Sequence, residues 1–559
     1  MDQETYSLWA SIISGKPFGA TMQINSYFSL GQLVAVVALI IAFIQLIKPI
    51  INFRLKAWRI NTKRLIVIVS FSIISVFIAA ILPFVPHIPL PVIGYPIFWE
   101  ASSAVLLVLY ATVIITKMLK TPIFNKKNAQ SYFEGCYDLI AKGNQEILNE
   151  LANEVRPSIE PLFDECGKFN PDLARQAEKQ GDEYDVSIDI RIGYTLLDLF
   201  SDKLFCKAII TRAPKTAFAI FDSLKKRPTR KMGYSLSQEL INQAFVNEDS
   251  ILIREEKYSG LGIFKHFMLT VYGDWDFVNG LHGPLSAWRY YRNDNGVQQW
   301  QIKKYCECLA VSLDSYFNSK DYWQKPFAIR GALDHLSHIV LSQVANLEDL
   351  DEKELYDSRE YKVISNIGEG IKELIDRVCR QKNMPSYDFD VKNYDLHEDP
   401  SIYGVIAQGA FEYLQMIASW KIPDWPMRHC AIDIWMKIFG VKSGTPSSQQ
   451  NEIAKRLIVF LKKNVDDNLD SNKKWYPAIT RLLISLNGFF YFDGHEDDRL
   501  ESIFYNGLLD SIKQKYTALH DEDPEYAEKL IPYNVVYDKD NKTLEFSTPM
   551  RNKHTLHLN

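Results

Sequence analysis

Three long apolar stretches near the N-terminus constrain this chain more than any other feature. Residues 28–47 and residues 65–86 carry no charged side chain. Residues 98–118 form a third apolar run, interrupted near its ends by Glu100 and Lys117. A helix needs about 20 apolar residues to cross the ~30 Å hydrocarbon core of a bilayer. The pattern therefore predicts three transmembrane helices.

Basic residues are distributed unevenly around these stretches. Residues 87–99 contain neither Lys nor Arg, whereas the segment between the first and second stretches has no acid and carries Lys48, Arg54, Lys56, Arg59, Lys63 and Arg64. Cytosolic loops of membrane proteins are enriched in Lys and Arg. We therefore expect a multi-pass protein of the inner membrane, with its N-terminus outside and everything after Lys117 in the cytosol. Residues 1–27 are nearly neutral, so the first stretch reads as a retained span and not as a signal peptide.

The charge balance changes sign along the chain. Up to Lys127 there are eleven Lys and Arg and three acids, whereas the whole 559-residue chain has 63 basic and 68 acidic residues. An acidic remainder argues against general nucleic-acid binding. The expected partners are the lipid bilayer, further copies of the chain, and a cytosolic protein or nucleotide ligand. Seven cysteines without a Cys-x-x-Cys pair indicate reduced thiols, and no cofactor motif is present.

Helical periodicity dominates the rest of the sequence. The expected fold class is a mainly α membrane protein, with three N-terminal transmembrane helices before a large, mostly helical cytosolic domain. Residues 403–440 and 450–489 each resemble two antiparallel helices, as in helical repeat proteins, without a fixed period. Helical spacing recurs in 131–155, 195–209, 236–247, 301–317, 328–346, 361–380, 403–419, 428–440, 450–463, 477–489 and 500–518.

Few strands are expected. Alternating apolar and polar residues predict a strand over 186–192, a short apolar run predicts another over 250–254, and residues 535–546 predict a hairpin. The sequence thus suggests three parts: a transmembrane module (1–127), a helical domain with minor strands (128–390), and a C-terminal helical domain that ends in a β-hairpin (391–559).

Several polar residues lie within or beside the second and third apolar stretches. They are Ser70, Ser72, Ser75, Ser102, Ser103 and Thr112. Small polar side chains line helix contacts in membranes, and in an oligomer they can line a pore. No ionisable residue lies near the middle of a span, which disfavours an ion-coupled transporter. Three helices cannot enclose a pathway alone, so a pore would require an oligomer.

A basic run follows the predicted strand at 186–192. Between Lys203 and Lys231 its single acid is Asp222. We consider it either a solvated or membrane-facing surface or a site for a phosphate-bearing ligand. The candidate ligand-binding residues are Lys215, Lys225, Lys226, Arg227, Arg230 and Lys231.

The histidines offer weaker candidates for chemistry. His335 and His338 lie with Asp334 on a predicted helix but lack the Glu of a two-histidine zinc motif, and His429 is four residues before Asp433. Acidic loops surround His397, His495 and His520. Converging carboxylates of this kind would suit a metal-dependent hydrolase. No metal site is expected, because polar helix faces and solvated loops explain these residues more simply.

Two further patterns fail as ligand motifs, and one loop stands out. Asp466, Asn468 and Asp470 begin like a calcium loop, but the required Gly and Glu are absent. Gly260 and Gly262 lack the Lys-Ser/Thr ending of a phosphate loop. The glycine-rich segment 273–288 is dense in aromatic and acidic residues, which indicates either a packed loop or a partner surface.

Three functions are consistent with these features. The leading hypothesis is a membrane-anchored sensor or effector, whose cytosolic helical domain binds a ligand or partner and acts on an oligomeric transmembrane module, for instance a pore. Some proteins of bacterial stress and antiviral responses combine such domains, and the comparison is an architectural analogy. The alternatives are a membrane-tethered metal-dependent hydrolase or nuclease, and a scaffold that recruits proteins to the membrane. An enzyme is the less favoured class, and no catalytic residue is assigned.

Overall fold

The chain folds mainly into α-helices, which group into two compact units, Met1–Ser223 and Leu224–Asn559. The computed structural model describes residues 38, 48–60, 62–82, 96–167, 176, 179–180, 187–227, 232–257, 266–280, 282–288, 296–319, 326–347, 350, 352–381, 399, 401–419, 424–439, 447–470, 477–490, 500–532, 534–548 and 551–558.

The N-terminal unit contains short helices on either side of two long apolar ones. Its described helices are α1 (Pro49–Ala57), α2 (Thr62–Ile81), α3 (Pro96–Leu119), α4 (Ala129–Ala141), α5 (Gln145–Glu154), α6 (Ile159–Cys166), α7 (Ile188–Leu199), α8 (Lys203–Arg212) and most of α9 (Pro214–Lys225). The predicted helical hairpin over 131–155 is confirmed as α4 and α5. Gly143 turns the chain with φ +63°, and the Asn144 side chain then caps α5.

Helices α2 and α3 pack against each other along their small residues. Ser72, Ser75 and Ala79 of α2 are buried, as is Ser103 of α3, while most larger apolar side chains point outward. Within the described residues, α3 alone is long and apolar enough to cross a membrane, and only 17% of its apolar window is buried. A core helix of a soluble protein would be mostly buried.

The other two predicted spans are not settled by the structure. Helix α2 contains residues 65–81 of the second apolar stretch, and residues 83–86 lie outside the described residues. Residues 28–47 lie outside the described residues except for Ala38, which is helical. The three-span arrangement therefore stays a prediction.

Two predicted strands are wrong. Residues 188–199 form helix α7, because the buried side chains continue from Gly193 to Leu196, Leu197 and Phe200 at helical spacing. One member of the alternating run, Ile188, is 75% exposed. The run at 250–254 belongs to α11 (Ile251–Lys257), which extends into helix-forming charged residues.

The predicted helix over 195–209 is divided in two. Phe200 ends α7, and the Asp202 side chain accepts a hydrogen bond from the Phe205 amide to begin α8. An aspartate cap of this kind starts a new helix without a proline or glycine between the two.

The C-terminal unit is a longer series of helices followed by strands. Its described helices are α10 (Tyr234–Val246), α11, α12 (His266–Tyr272), α13 (Trp275–Val278), α14 (Pro284–Ala287), α15 (Gln299–Asn318), α16 (Phe327–Leu347), α17 (Glu352–Leu355), α18 (Arg359–Cys379), α19 (Ile402–Ala418), α20 (Asp424–Phe439), α21 (Ser448–Asn468), α22 (Pro477–Phe490), α23 (Leu500–Glu522) and α24 (Pro524–Leu530). The helices predicted between 236 and 518 are present, with ends that differ by a few residues.

From α15 onward the long helices stack in two layers. In the first layer α15, α18, α20 and α22 each pack against the next, and in the second layer α16, α19, α21 and α23 do the same. Stacked helix pairs of this kind build α-solenoids. The loop lengths between pairs differ, which explains why the sequence has no fixed period. Every residue of α19 is buried or half-buried, so this helix lies at the centre.

Ion pairs join the first layer from helix to helix. Arg377 of α18 pairs with Asp314 of α15, while Lys437 of α20 pairs with Asp376 of α18. Lys372 Nζ lies 3.7 Å from Asp433 Oδ2, again between α18 and α20.

The chain ends in a three-stranded antiparallel sheet. Strands β1 (Val535–Asp538) and β2 (Thr543–Thr548) form the predicted hairpin, with Val535 opposite Phe546. The Asp538 side chain accepts hydrogen bonds from the amides of Asp540 and Asn541 in the turn. A third strand, β3 (Arg551–His557), was not expected and pairs with β2.

Candidate functional site

The basic segment between the first two apolar stretches is a short helix docked on the helices that follow the third. Helix α1 packs against α4, α5 and the end of α3. Phe53 is 2% exposed and meets the Tyr132 ring edge-on at 5.2 Å. Gly135 makes room for Phe53, because a Cβ there would lie 2.8 Å from Phe53 Cδ2. This contact therefore buries the apolar side of α1.

Tyr132 ties the same junction to the chain that leaves α3. Its hydroxyl and the Ser158 hydroxyl are 2.9 Å apart, and Ser158 Oγ accepts a hydrogen bond from the Phe124 amide. Burial raises the pKa of Tyr132, so this phenol stays protonated. The centre of the junction is therefore packed and uncharged, and charged side chains lie around it.

Arg54 joins three helices at this junction. Its Nε and Nη2 each donate to a carboxylate oxygen of Glu154 at 2.7 Å, and its Nη1 donates to the Met118 carbonyl at 2.6 Å. Glu154 is 7% exposed at its side chain, and Arg54 is 22% exposed. We call Arg54, Glu154 and the Met118 carbonyl the Arg54 clamp. A bidentate pair with little solvent around it is strong and directional.

Two weaker ion pairs flank the Arg54 clamp. Lys56 Nζ lies 2.5 Å from Asp138 Oδ2, and Lys48 Nζ lies 3.6 Å from Glu150 Oε1. Both pairs are exposed, and exposed pairs contribute about 0–1 kcal/mol. The Arg54 clamp therefore carries most of the electrostatic part of the junction.

The polar residues of α2 and α3 fall into two groups. Ser72, Ser75 and Ser103 are buried between the helices, and Ser103 Oγ donates to the Ser72 carbonyl at 3.3 Å. Ser70 and Thr112 are exposed, and Ser102 is half-buried. The Thr112 hydroxyl donates to the Val108 carbonyl of its own helix. Helix packing therefore accounts for three of the six residues, and Ser70 and Thr112 are free to face a pore or lipid.

The basic run is spread along α8, α9 and the chain just after them. Lys215 and Lys225 lie at opposite ends of α9, about 15 Å apart at 1.5 Å per residue. Lys226 is exposed, Arg227 is half-buried, and Arg230 and Lys231 lie outside the described residues. A site for a phosphate-bearing ligand therefore stays a prediction.

The two candidate histidines on α16 have different surroundings. His338 Nε2 lies 3.6 Å from Asp334 Oδ1. His335 instead packs its ring edge-on against Trp288, 5.5 Å away, and against Tyr305. The two imidazoles therefore have different neighbours in this structure. In the described part of the chain, no three His, Cys, Asp or Glu residues are grouped to hold a metal.

The other acidic candidates have structural partners. Asp433 lies by Lys372, while His429 is exposed. Asp399 Oδ2 accepts from Arg456 Nε at 2.7 Å, and Arg456 is 1% exposed at its side chain. Asp466 lies 3.4 Å from Lys515 Nζ. His397, His495, Gly260 and Gly262 lie outside the described residues.

The aromatic loop at 273–288 is a packed loop in its described part. Asp274 caps α13 by accepting from the Phe277 amide. Trp275, His282 and Trp288 are buried. His520 similarly packs between the rings of Tyr516 and Tyr537.

Sequence reasoning missed Arg54, Glu154 and Arg456 as individual residues. The Arg54 and Glu154 partners are 100 positions apart in sequence, and Arg456 and Asp399 are 57 apart. One signal was available for Glu154: it belongs to α5, a helix with a strong apolar face, where a charge that cannot avoid the interior needs a partner.

Comparisons with known proteins do not assign a family. The chain matches no protein-family model, no curated protein and no solved structure.

Proposed function

We propose that this chain is a membrane-anchored sensor or effector. In it, the stacked helices of the C-terminal unit bind a ligand or protein partner, and the Arg54 clamp passes that event to a transmembrane module that assembles as an oligomer and opens a pore. The observation that carries the proposal is the Arg54 clamp itself. It joins α1, which precedes α2, to the last turn of α3 and to α5.

The clamp also supports the expected topology. Helix α1 precedes α2, and α4 and α5 follow α3. Since α1 packs on α4 and α5, the start of α2 and the end of α3 lie at one end of the helix pair. We propose that this end faces the cytosol because of its basic residues, with the N-terminus outside and three spans in the inner membrane.

Exposed apolar side chains support lipid as the surroundings of α2 and α3. Phe71 and Phe77 of α2 and Val108 and Leu109 of α3 are 46–64% exposed. A soluble protein rarely leaves such a continuous apolar surface in water. A role in a bacterial stress or antiviral response would fit this plan by analogy alone.

The test breaks and then restores the clamp. The full chain is reconstituted in potassium-loaded liposomes as wild type, as Arg54→Glu, and as the exchanged pair Arg54→Glu/Glu154→Arg. Removing one partner of a buried ion pair costs about 3–5 kcal/mol, and somewhat less where one partner is half-buried. We expect potassium flux to change at least tenfold in Arg54→Glu and to return toward the wild-type rate in the exchanged pair. Equal flux in all three would refute clamp-controlled pore opening.

Two other outcomes would favour the alternative functions. Loss of a hydrolytic activity on replacement of His335, His338, His397 and His495 would favour the hydrolase or nuclease. Silent flux together with a specific, stoichiometric protein partner of the C-terminal unit would favour the scaffold.

A further inference from the structure

Three cations and a tryptophan meet where α1 turns into α2 and where α3 ends. Lys117 Nζ lies 3.7 Å from the centre of the Trp58 ring. Trp58 Nε1 donates to the Lys120 carbonyl at 3.2 Å. Arg59 follows Trp58 in the turn, with φ 55°. We call Arg59, Lys117 and Lys120 the basic collar.

The basic collar differs from the other cations of the junction. Lys48, Arg54, Lys56 and Lys126 each have a carboxylate oxygen within 4.0 Å. Among the described residues, no ion pair involves Arg59, Lys117 or Lys120. Arg59 and Lys120 are exposed, and Lys117 is half-buried against Trp58. The charges of the collar are therefore available to an external anion.

The position of the collar indicates which anion it meets. Lys117 is in the last turn of α3, at the end of the apolar helix surface. Tryptophan and lysine at such an end lie at the level of lipid headgroups. Basic residues at this depth are attracted to anionic lipids. The adjacent groove of about 560 Å³ near Lys126 and Lys127 is a poorer choice, because Asp164 and Glu165 also line it and would repel phosphate.

We propose that the basic collar and Trp58 bind the phosphate headgroups of anionic phospholipids in the leaflet next to the helical domain. This inference rests on the proposed membrane insertion and adds the lipid class and its binding residues. A headgroup held between the α1–α2 turn and the end of α3 would stabilise the same junction as the Arg54 clamp.

The experiment measures lipid retention by the full chain. Detergent-solubilised protein is mixed with phosphatidylglycerol and phosphatidylcholine, and the bound lipids are counted by native mass spectrometry. The test variants are Arg59→Gln/Lys117→Gln/Lys120→Gln and the milder Arg59→Gln/Lys120→Gln, which keeps Lys117 over Trp58. The control, Lys462→Gln/Lys463→Gln/Lys529→Gln, removes three exposed lysines of the C-terminal unit.

Each cation near an anionic surface strengthens binding about fivefold, so we expect the preference for phosphatidylglycerol to fall about 100-fold in the triple variant and about 25-fold in the double variant. The control should match the wild type. Equal lipid preference in all four proteins would overturn the proposal. So would displacement of phosphatidylglycerol by millimolar inorganic phosphate, which would indicate a soluble phosphate ligand.

Alkaline carbonate extraction of the same proteins separates this proposal from the one it rests on. If the wild type and all variants stay in the membrane and none prefers phosphatidylglycerol, only the proposal that the collar binds anionic lipid is refuted. Release of the wild type into the supernatant refutes membrane insertion as well.

Discussion

Arg54 and Arg456 show how individual charges are held inside this helical chain. Arg54 has Glu154 and a carbonyl as partners, and Arg456 has Asp399 and Glu452. A buried guanidinium without such partners would cost several kcal/mol. The helix that carries Arg456 was predicted from the sequence, whereas no helix was predicted over Pro49–Ala57, where Arg54 lies. The pairing was not, because it depends on tertiary folding between distant positions.

Two glycines on neighbouring helices should respond oppositely to alanine. At Gly331 of α16 an added Cβ meets nothing within 4 Å, so Gly331→Ala should stabilise the chain by about 0.5–1 kcal/mol through helix propensity. At Gly368 of α18 the Cβ would lie 2.6 Å from the Tyr413 hydroxyl. Gly368→Ala should destabilise by about 1–3 kcal/mol through overpacking. Thermal unfolding midpoints of the purified chain measure both, and a stabilising Gly368→Ala would contradict the packing described.

Glu412 should make stability depend on pH. Burial, with Asp334 adding repulsion, raises the pKa of Glu412 above its ordinary value of 4.5, while Gln408, Arg330 and His338 oppose the shift. The folded chain then holds this proton more tightly than the unfolded chain does. Its contribution to stability is largest at low pH and declines as pH rises above about 4.5 toward the raised pKa.

Replacing this carboxyl should remove that decline. Glu412→Gln should match the wild type in urea unfolding at pH 4 and become more stable than the wild type at pH 7. Gln408→Ala removes the favourable hydrogen bond to the Glu412 carboxylate. This variant should therefore lose more stability than the wild type between pH 4 and pH 7. A constant offset between Glu412→Gln and wild type across this range would show that Glu412 ionises normally.

At the scale of elements, long helices were predictable and short ones were not. Residues 301–317 and 361–380 carry apolar side chains at helical spacing over several turns, and α15 and α18 follow them closely. Helix α6 lies in a segment that contains Pro, Gly and Asp and for which no helix was predicted. Short helices such as α6 depend on packing against neighbours more than on their own periodicity.

The error at 186–192 has a similar cause. Val186 and three isoleucines at alternate positions fit a strand, but the buried apolar side chains continue through Phe200 at helical spacing. Four alternating residues are too few to decide the period. The two-layer stacking of α15 to α23 was suggested by the predicted helix pairs, whereas the order of contacts required the structure.

The contact between α2 and α3 should be sensitive to side-chain size at one position and insensitive at another. Ser103 is fully buried against α2, so Ser103→Leu should separate the helices and cost about 1–3 kcal/mol. Thr112 is exposed on α3, so Thr112→Leu should leave the thermal midpoint in lipid nanodiscs unchanged. A Thr112→Leu variant that lost stability or flux while Ser103→Leu kept both would instead assign Thr112 to an interface or pore.

At the scale of the whole molecule, two features of the N-terminal unit matter most. The α2–α3 pair exposes apolar side chains over much of its surface, and α1 is fastened to α4 and α5 by Phe53 and Arg54. Together they describe a pair of long apolar helices whose basic end is joined to the helices that follow.

The most direct test is side-specific cysteine labelling in membrane vesicles. Asn52→Cys reports on α1, Lys539→Cys on the β1–β2 turn, and Gly94→Cys on the loop between the second and third apolar stretches. The native cysteines are buried or half-buried and should react slowly. We expect an impermeant maleimide to label Asn52→Cys and Lys539→Cys from the cytosolic face only, and Gly94→Cys from the opposite face only. Labelling of all three from one face would contradict the membrane-spanning arrangement.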